Sequence, residues 1–164
     1  IFDSIILRFA TAFGLSERMR FDLTVNEFTL DLLEKKTLEV YDPDTWRPYC
    51  HVKDFAKIMM KILEVNTGEL KSEIFNCGSN SNNHTKRDIV NIIKSKIDNA
   101  NIKFKEGDTD PRNYRVDFTK LEKKFSFTPD FNVSDGVQEI IDNRNLFLGK
   151  EKKYFGNYEI KKKN

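Results

Sequence analysis

Two arginines carry the strongest candidate chemistry in this chain. Arg47 opens the run Arg47-Pro-Tyr-Cys-His-Val-Lys-Asp-Phe-Ala56, which passes from an extended segment into an amphipathic helix. A diphosphate needs a planar, permanently charged fork of donors, and an arginine at a strand start supplies one. The competing reading for Arg47 is a surface ion pair with Asp42 or Asp44. Arg112 is the second candidate, weighed against an ion pair with Asp110 or Asp117. Tyr41 ends a short alternating run, where it either stacks on a nucleotide base or simply packs. Arg18 and Arg20 read equally as phosphate or sugar contacts and as solvated loop charges. His51 has the chemistry of an acid or base. With no nucleophile or ligand partner near it, it reads as a structural histidine bonded to backbone. His84 sits in a polar loop and carries no claim.

The elements that must hold these residues follow from apolar spacing. Residues 4–10 form a short apolar run with β-branched members, the mark of a buried parallel strand. Phe21, Val25, Phe28, Leu32 and Leu33 line one face of a helix over 21–34, with Asp22 at its start as a cap. Residues 38–41 alternate as a short strand, 42–45 form a proline turn, and 46–52 are extended. A helix over 54–65 turns Phe55, Ile58, Met59, Ile62 and Leu63 inward, and the Met59-Met60 pair reads as core. Asn66-Thr67-Gly68 stops it. A strand over 74–78 is followed by a polar loop, 79–83. Thr85 caps a helix over 86–97 with Ile89, Ile92, Ile93 and Ile97 inward. Residues 102–105 read as an edge strand, 107–114 as an irregular loop and 117–125 as a short helix. Ser134 caps a last helix from 135 to about 148, ended by Gly149. The lysine-rich end, 150–164, reads as a solvated tail.

Composition bounds the class. The 164 residues are 38% hydrophobic and 33% charged with a net charge of +2, which describes a globular chain with its own core. That charge permits a phosphate groove without demanding a nucleic-acid footprint, so nucleic acid is not expected as a partner. Apolar runs are too short for a membrane span. No charged-then-apolar leader is visible, and Cys50 and Cys77 read as reduced, buried thiols, so a cytoplasmic location is expected. The chain opens on Ile1, and an apolar strand at 5–9 calls for sheet neighbours. Both features suggest a piece of a longer protein.

The decapeptide at 47–56 resembles the R-x-Y/F-x-H-V-x-D-x-A segment of the extended short-chain dehydrogenases, the NAD-dependent nucleotide-sugar epimerases and dehydratases. Further segments are similar in the same order. These are Leu7-Arg-Phe-Ala-Thr-Ala-Phe-Gly14, the strand 38–41, Phe75-Asn-Cys-Gly78, Asp110-Pro-Arg-Asn-Tyr-Arg-Val-Asp-Phe-Thr-Lys120, and Phe125-Ser-Phe-Thr-Pro129 followed by Gly136. Ser126 stands where glycine is commoner. The resemblance runs from Ile5 to about Phe147 and implies an α/β fold. Residues 1–149 would be the C-terminal portion of such an enzyme. They would hold the last strands of a Rossmann-type sheet and the small substrate-binding α/β subdomain, with the dinucleotide-binding half upstream. It implies Arg47 and Arg112 on the diphosphate, Tyr41 at the base, and Asp22 and Leu23 at a helix start near the nucleotide. It also implies Thr11 where the family places an asparagine on the sugar diphosphate, and Ala10 at the cofactor. The partner would be a nucleotide sugar, the cofactor NAD or NADP in the full-length protein, and the assembly a homo-oligomer.

The departures bear equally on function. The sequence has no G-x-x-G-x-x-G loop, no Tyr-x-x-x-Lys in the place catalysis needs, and no acidic residue to hold the adenine ribose. A chain without these cannot position a nicotinamide. The Arg-Pro-Gly that often precedes the Asp-x-Arg segment is missing too. The leading expectation is a substrate-binding half without activity of its own. The competitors are a non-catalytic module binding RNA or protein, and a same-family enzyme acting on a small non-nucleotide carbonyl compound.

Overall fold

Ile5 and Leu7 alternate with Ile6 and Arg8, and the chain places them in a strand that buries one face only. The computed structural model describes residues 4–65, 70, 72–107, 112–150 and 155. Strand β1 (Ile5–Phe9) runs parallel to β5 (Glu73–Cys77), in a register that pairs Leu7 with Phe75 and Arg8 with Asn76. This is the parallel pair expected from the two apolar runs. Between them come β2 (Thr11–Phe13), α1 (Thr24–Leu33), β3 (Leu38–Tyr41), β4 (Trp46–His51) and α2 (Val52–Leu63). After β5 come β6 (Asn83–Thr85), α3 (Lys86–Lys94), β7 (Ile102–Lys105), α4 (Thr119–Phe125) and α5 (Val133–Asp142). The helical crossover through α2 returns the chain parallel to β1. A second sheet has the order β2-β4-β6, with β2 parallel and β6 antiparallel to β4, and β3 pairs in parallel with β7.

The core lies in three patches. Phe75, Cys77, Ile58, Ile62, Leu121 and Phe125 fill the space between the β1–β5 pair and helices α2 and α4. Phe13, Tyr49, Val25, Ile89, Ile93 and Val137 join α1, α3 and α5 to the second sheet. Phe21, Leu30, Ile140 and Phe147 close the far end. Burying each such side chain contributes about 1.5–3 kcal/mol, so these patches set the layer arrangement.

Several expectations are corrected here. Asp22 does not cap α1. The cap position is Leu23, with no side-chain cap bond, and Asp22 is held instead by Arg20 through two contacts of 2.6 Å. A carboxylate flanked by arginine forms the charged pair in preference to the amides. Helix α2 starts at Val52, and His51 caps it, accepting from the Lys53 amide at 3.2 Å. Met59, Met60 and Leu63 are exposed, because the buried stripe of α2 runs through Asp54, Ile58 and Ile62. The polar stretch after Gly78 is a 3-10 turn at Asn80–Asn82 leading into β6. Thr85 caps α3 as expected, in a reciprocal box with Asp88. Helix α5 is capped by Asn132, not Ser134, with Asp135 closing the box, and it ends at Asp142. Ser126 ends α4 in the left-handed region at φ 45°, which explains why glycine suits that position. The proposed stop at Asn66-Thr67-Gly68, Asp110, and nearly all of the lysine-rich tail lie outside the described residues.

Candidate functional site: a cleft at the ends of the parallel strands

In open α/β sheets the carboxyl ends of parallel strands leave a crevice where ligands collect. This chain has such a crevice, a cleft of about 330 Å³ where β1 and β5 end. Its lining is Arg8, Phe9, Ala10 and Thr11 from the end of β1 and the start of β2, with Asn76 from β5 and Pro48 from β4. Tyr114, Val116 and Phe118 complete it from the segment before α4. Gly78 lets that segment approach, since a Cβ there would meet the Phe118 ring at 2.7 Å and the Ala10 methyl at 3.2 Å. Asn83 fixes the segment by donating to the Val116 carbonyl at 3.0 Å and accepting from the Val116 amide at 3.0 Å.

Arg47 stands beside this cleft. Its guanidinium lies over the Tyr114 ring, 5.3 Å from the centroid, and Nη1 donates to the Trp46 carbonyl at 2.8 Å. The ion-pair alternative through Asp44 does not hold, because Asp44 is clasped by Arg87 at 2.8 and 3.0 Å. Ala10 and Thr11 both line the cleft. Arg112 is exposed, two residues before Tyr114. Neither Arg47 nor Arg112 is among the cleft's lining, and the other three candidates are not either. Tyr41 is 44% exposed at the end of β3, with the Lys105 ammonium 5.5 Å from its ring centroid. Asp22 and Leu23 sit at the entry to α1. Arg20 pairs with Asp22.

Reading the sequence missed Arg8 and Asn76 as site residues. Their signal was available: both lie one residue before the end of a parallel strand, in register with each other. Among the described residues the Arg8 guanidinium has no ion pair or side-chain hydrogen bond.

The second half of the decapeptide is wiring. His51 is fully buried, stacked on Phe131 at 4.2 Å, and its Nε2 faces Glu139 at 2.9 Å. With the Lys53 amide donating to Nδ1, the ring proton sits on Nε2 and is accepted by Glu139. Glu139 also accepts from the Leu15 amide at 2.8 Å and pairs with Lys53. Burial lowers the His51 pKa against the opposing pull of Glu139. Burial works to raise that of Glu139, but Lys53, the Leu15 amide and His51 together hold it below the usual value. Asp54, also buried, accepts from the amides of Asp130 and Phe131 at 2.9 and 3.2 Å. Gly14, at φ +97°, and Gly136 leave room for this cluster, for a Cβ on Gly14 would lie 2.0 Å from His51 Nε2. The histidine therefore holds the strands that carry the cleft. It bonds a carboxylate as well as backbone, and Glu139 went unseen because it lies 88 residues away in sequence.

Tyr49 and Lys53 have the catalytic spacing but not the catalytic setting. Tyr49 is fully buried in β4 and its phenol is pushed up to about 12 by burial, the opposite of an activated base. Tyr158 and Lys162 share the spacing and lie outside the described residues. Cys50 and Cys77 are free and buried, and burial raises both thiols, Cys77 to about 12. Among the described residues no cluster of metal-ligating side chains occurs, and no helix is long and apolar enough to cross a membrane.

Comparison with known proteins bears on the same strands. Residues 2–78 match the model of the NAD dependent epimerase/dehydratase family. Among solved structures, UDP-glucuronic acid 4-epimerase from Bacillus cereus, bound to UDP-glucuronic acid and NAD, superposes with a TM-score of 0.74 at 23% identity. It covers 87% of this chain and 46% of its own. dTDP-glucose 4,6-dehydratase from Bacillus anthracis, bound to NAD, gives 0.69 at 22% identity, over 86% of this chain and 45% of its own. UDP-glucose 4-epimerase from Thermotoga maritima, with UDP-glucose, gives 0.72 at 20% identity, over 88% and 47%. The chain thus spans under half the length of these structures, and over that span it has the Rossmann-like α/β fold of NAD-dependent epimerases and dehydratases.

Proposed function

We propose that this chain is the substrate-binding, C-terminal portion of an NAD- or NADP-dependent nucleotide-sugar epimerase or dehydratase. The observation that carries this is the cleft at the ends of β1 and β5, with Arg8 inside it and Arg47 at its side. Arginines at this place suit a diphosphate. Arg47 and Arg112 hold the diphosphate, Thr11 donates to it, and Ala10 faces the cofactor. Tyr41 and the Asp22-Leu23 corner contribute the nucleotide side from the exposed end of β3 and the half-buried start of α1. In this reading residues 1–149 form the folded unit, and the lysine-rich 150–164 is an appendage. The chain's part is positioning, which brings the sugar carbon to the nicotinamide and leaves proton transfer to residues it does not contain. Two free buried thiols accord with a reducing, cytoplasmic setting.

The test is calorimetry of the purified chain with UDP, dTDP, GDP and CDP, with Arg47→Ala as control. Binding of one diphosphate that weakens in the variant supports the reading. No binding of any of the four, by a chain folded by circular dichroism, refutes it. Added NAD and UDP-glucose should give no turnover, since neither the phosphate loop nor a usable Tyr-Lys pair is present in these residues.

A further inference from the structure

The chain has two histidines, and His84 is the one outside the clasp around Glu139. The sequence suggests a polar loop for it. The structure puts it in the middle of β6, directly across from Arg47 on β4. Lys86 donates its amide to the Thr45 carbonyl at 3.2 Å, so Thr45–Lys86 is a hydrogen-bonded pair of the antiparallel ladder. Two residues along, Arg47–His84 is the next such pair. Directly opposed residues share a face, with Cβ atoms about 4.5–5.5 Å apart. Arg47 and His84 therefore rise from one face of the strand pair, and Trp46 and Thr85 from the other. His84 is half-buried, and among the described residues its ring makes no hydrogen bond. The charged groups around it are otherwise occupied. On α3, Lys86 donates to the Tyr41 carbonyl at 2.8 Å, Arg87 clasps Asp44, and Asp88 closes the capping box on Thr85. Arg115 lies over Trp46, on the opposite face. Burial lowers the His84 pKa, against the opposing pull of Asp88. The ring is thus neutral at pH 7 until a negative charge comes beside it.

We propose that His84 is a proton-linked contact of the diphosphate: when a nucleotide sugar binds, the imidazole takes up a proton from solvent and donates an N–H to the phosphate next to the one on Arg47. The inference rests on the reading of Arg47 as a diphosphate arginine. A diphosphate carries two anionic groups in series, so neighbouring side chains on β4 and β6 can each take one. An anion close by raises a histidine pKa, and a bond from imidazolium to phosphate is charge-assisted on both sides. Arg47 supplies a charge that does not vary with pH, and His84 adds one that appears only with the ligand. Binding then draws a proton from the buffer and tightens as pH falls through the histidine range.

The probes are UDP-, dTDP-, GDP- and CDP-glucose, whose doubly esterified diphosphate does not itself titrate in the histidine range. Calorimetry of the whole chain, in buffers of different ionisation heat, counts the protons taken up with each. For whichever sugar binds, affinity should be about tenfold or more higher at the acid end of that range than at the alkaline end. In proton NMR the His84 ring resonance should titrate about one pH unit or more higher with the ligand than without it. His84→Gln keeps a donor and loses the titration. It should fold by circular dichroism and still bind, with neither proton uptake nor the pH dependence. His84→Lys, charged throughout, should bind at alkaline pH nearly as tightly as the parent chain does at acid pH. Binding with no proton uptake, uptake that persists in His84→Gln, or a His84 titration that the ligand leaves unmoved would overturn the proposal and leave the diphosphate reading of Arg47 standing. No binding of any of the four sugars at any pH would overturn both.

Discussion

Replacing Glu139 by glutamine removes one charge and keeps the shape. The carboxylate accepts from the Leu15 amide at 2.8 Å and from His51 at 2.9 Å, and it also pairs with Lys53. The Lys53 side chain is 55% exposed, so that contact contributes only about 0.2–1 kcal/mol. A hydrogen bond to a charged acceptor contributes about 1.5–3 kcal/mol, and the other two contacts are of this kind. Both bonds end on the same oxygen, Oε2, so glutamine can keep them. In glutamine each drops to the roughly 0.5–1.5 kcal/mol of a bond to a neutral acceptor, and the other oxygen, which faces Lys53, becomes an amide nitrogen. Its amide group brings donors toward a donor. The expected loss is about 2–4 kcal/mol, a large part of the roughly 5–15 kcal/mol that holds a domain folded. At about 2–4 °C per kcal/mol for a chain of this size, Tm falls by roughly 4–16 °C. Urea unfolding followed by Trp46 fluorescence, the one tryptophan in the chain, measures it against far-UV dichroism. A loss under about 0.5 kcal/mol, the range of ordinary surface changes, would show that Glu139 does not tie the strands together.

Gly14→Ala should destabilise by more than about 3 kcal/mol, because φ is +97° and the new methyl would meet His51 at 2.0 Å. Urea midpoints check it, and near-native stability would mean that His51 has room to move. Stability should also fall on acidification. The folded pKa values of His51 and His84 lie below 6.5 and that of Glu139 below 4.5, so in each case the unfolded chain takes up protons first. The decline should begin as pH drops through the ordinary histidine range and continue through the carboxylate range, and Glu139→Gln should flatten its lower part. Unfolding free energies across a pH series would expose a flat or rising profile as contrary. Arg47→Ala should weaken nucleoside diphosphate binding by about 2–4 kcal/mol, and unchanged affinity by calorimetry would reduce Arg47 to a partner of Tyr114.

Periodicity located nearly every helix and strand, since β1, β3, β5 and β7 and the apolar faces of α1 and α3 are local patterns. It failed where a distant residue decides. Asp22 had the chemistry of a cap, and Arg20 took it. Met59 and Met60 had core chemistry, yet the sheet selects the stripe one step around the helix. The brief strand β6 is polar and exists because Pro48, Arg47 and Trp46 offer it a ladder. Arg47, which stands beside the cleft with its guanidinium over Tyr114, was a candidate from its motif alone. Arg8, Asn76 and Phe118 needed the register of β1 on β5 before they could be seen to share a cleft.

Leu15 and Glu139 are joined across 124 residues of sequence, and His51 and Glu139 across 88. Helix α5 is the last described α-helix to be synthesised, and it supplies the bonds that hold the end of β4 and the turn just after β2. While the chain is being made, β2 and β4 emerge long before their clasp. Contacts this distant in sequence form late and slowly, since the loop must close before it is rewarded. The apolar face of β2, where Phe13 packs with Val133 and Val137 of α5, is therefore exposed for most of synthesis, when aggregation or chaperone capture competes with folding. A chain stopped between Phe118 and Asn132 would carry every residue lining the cleft and none of α5, whose Glu139 bonds the Leu15 amide and His51.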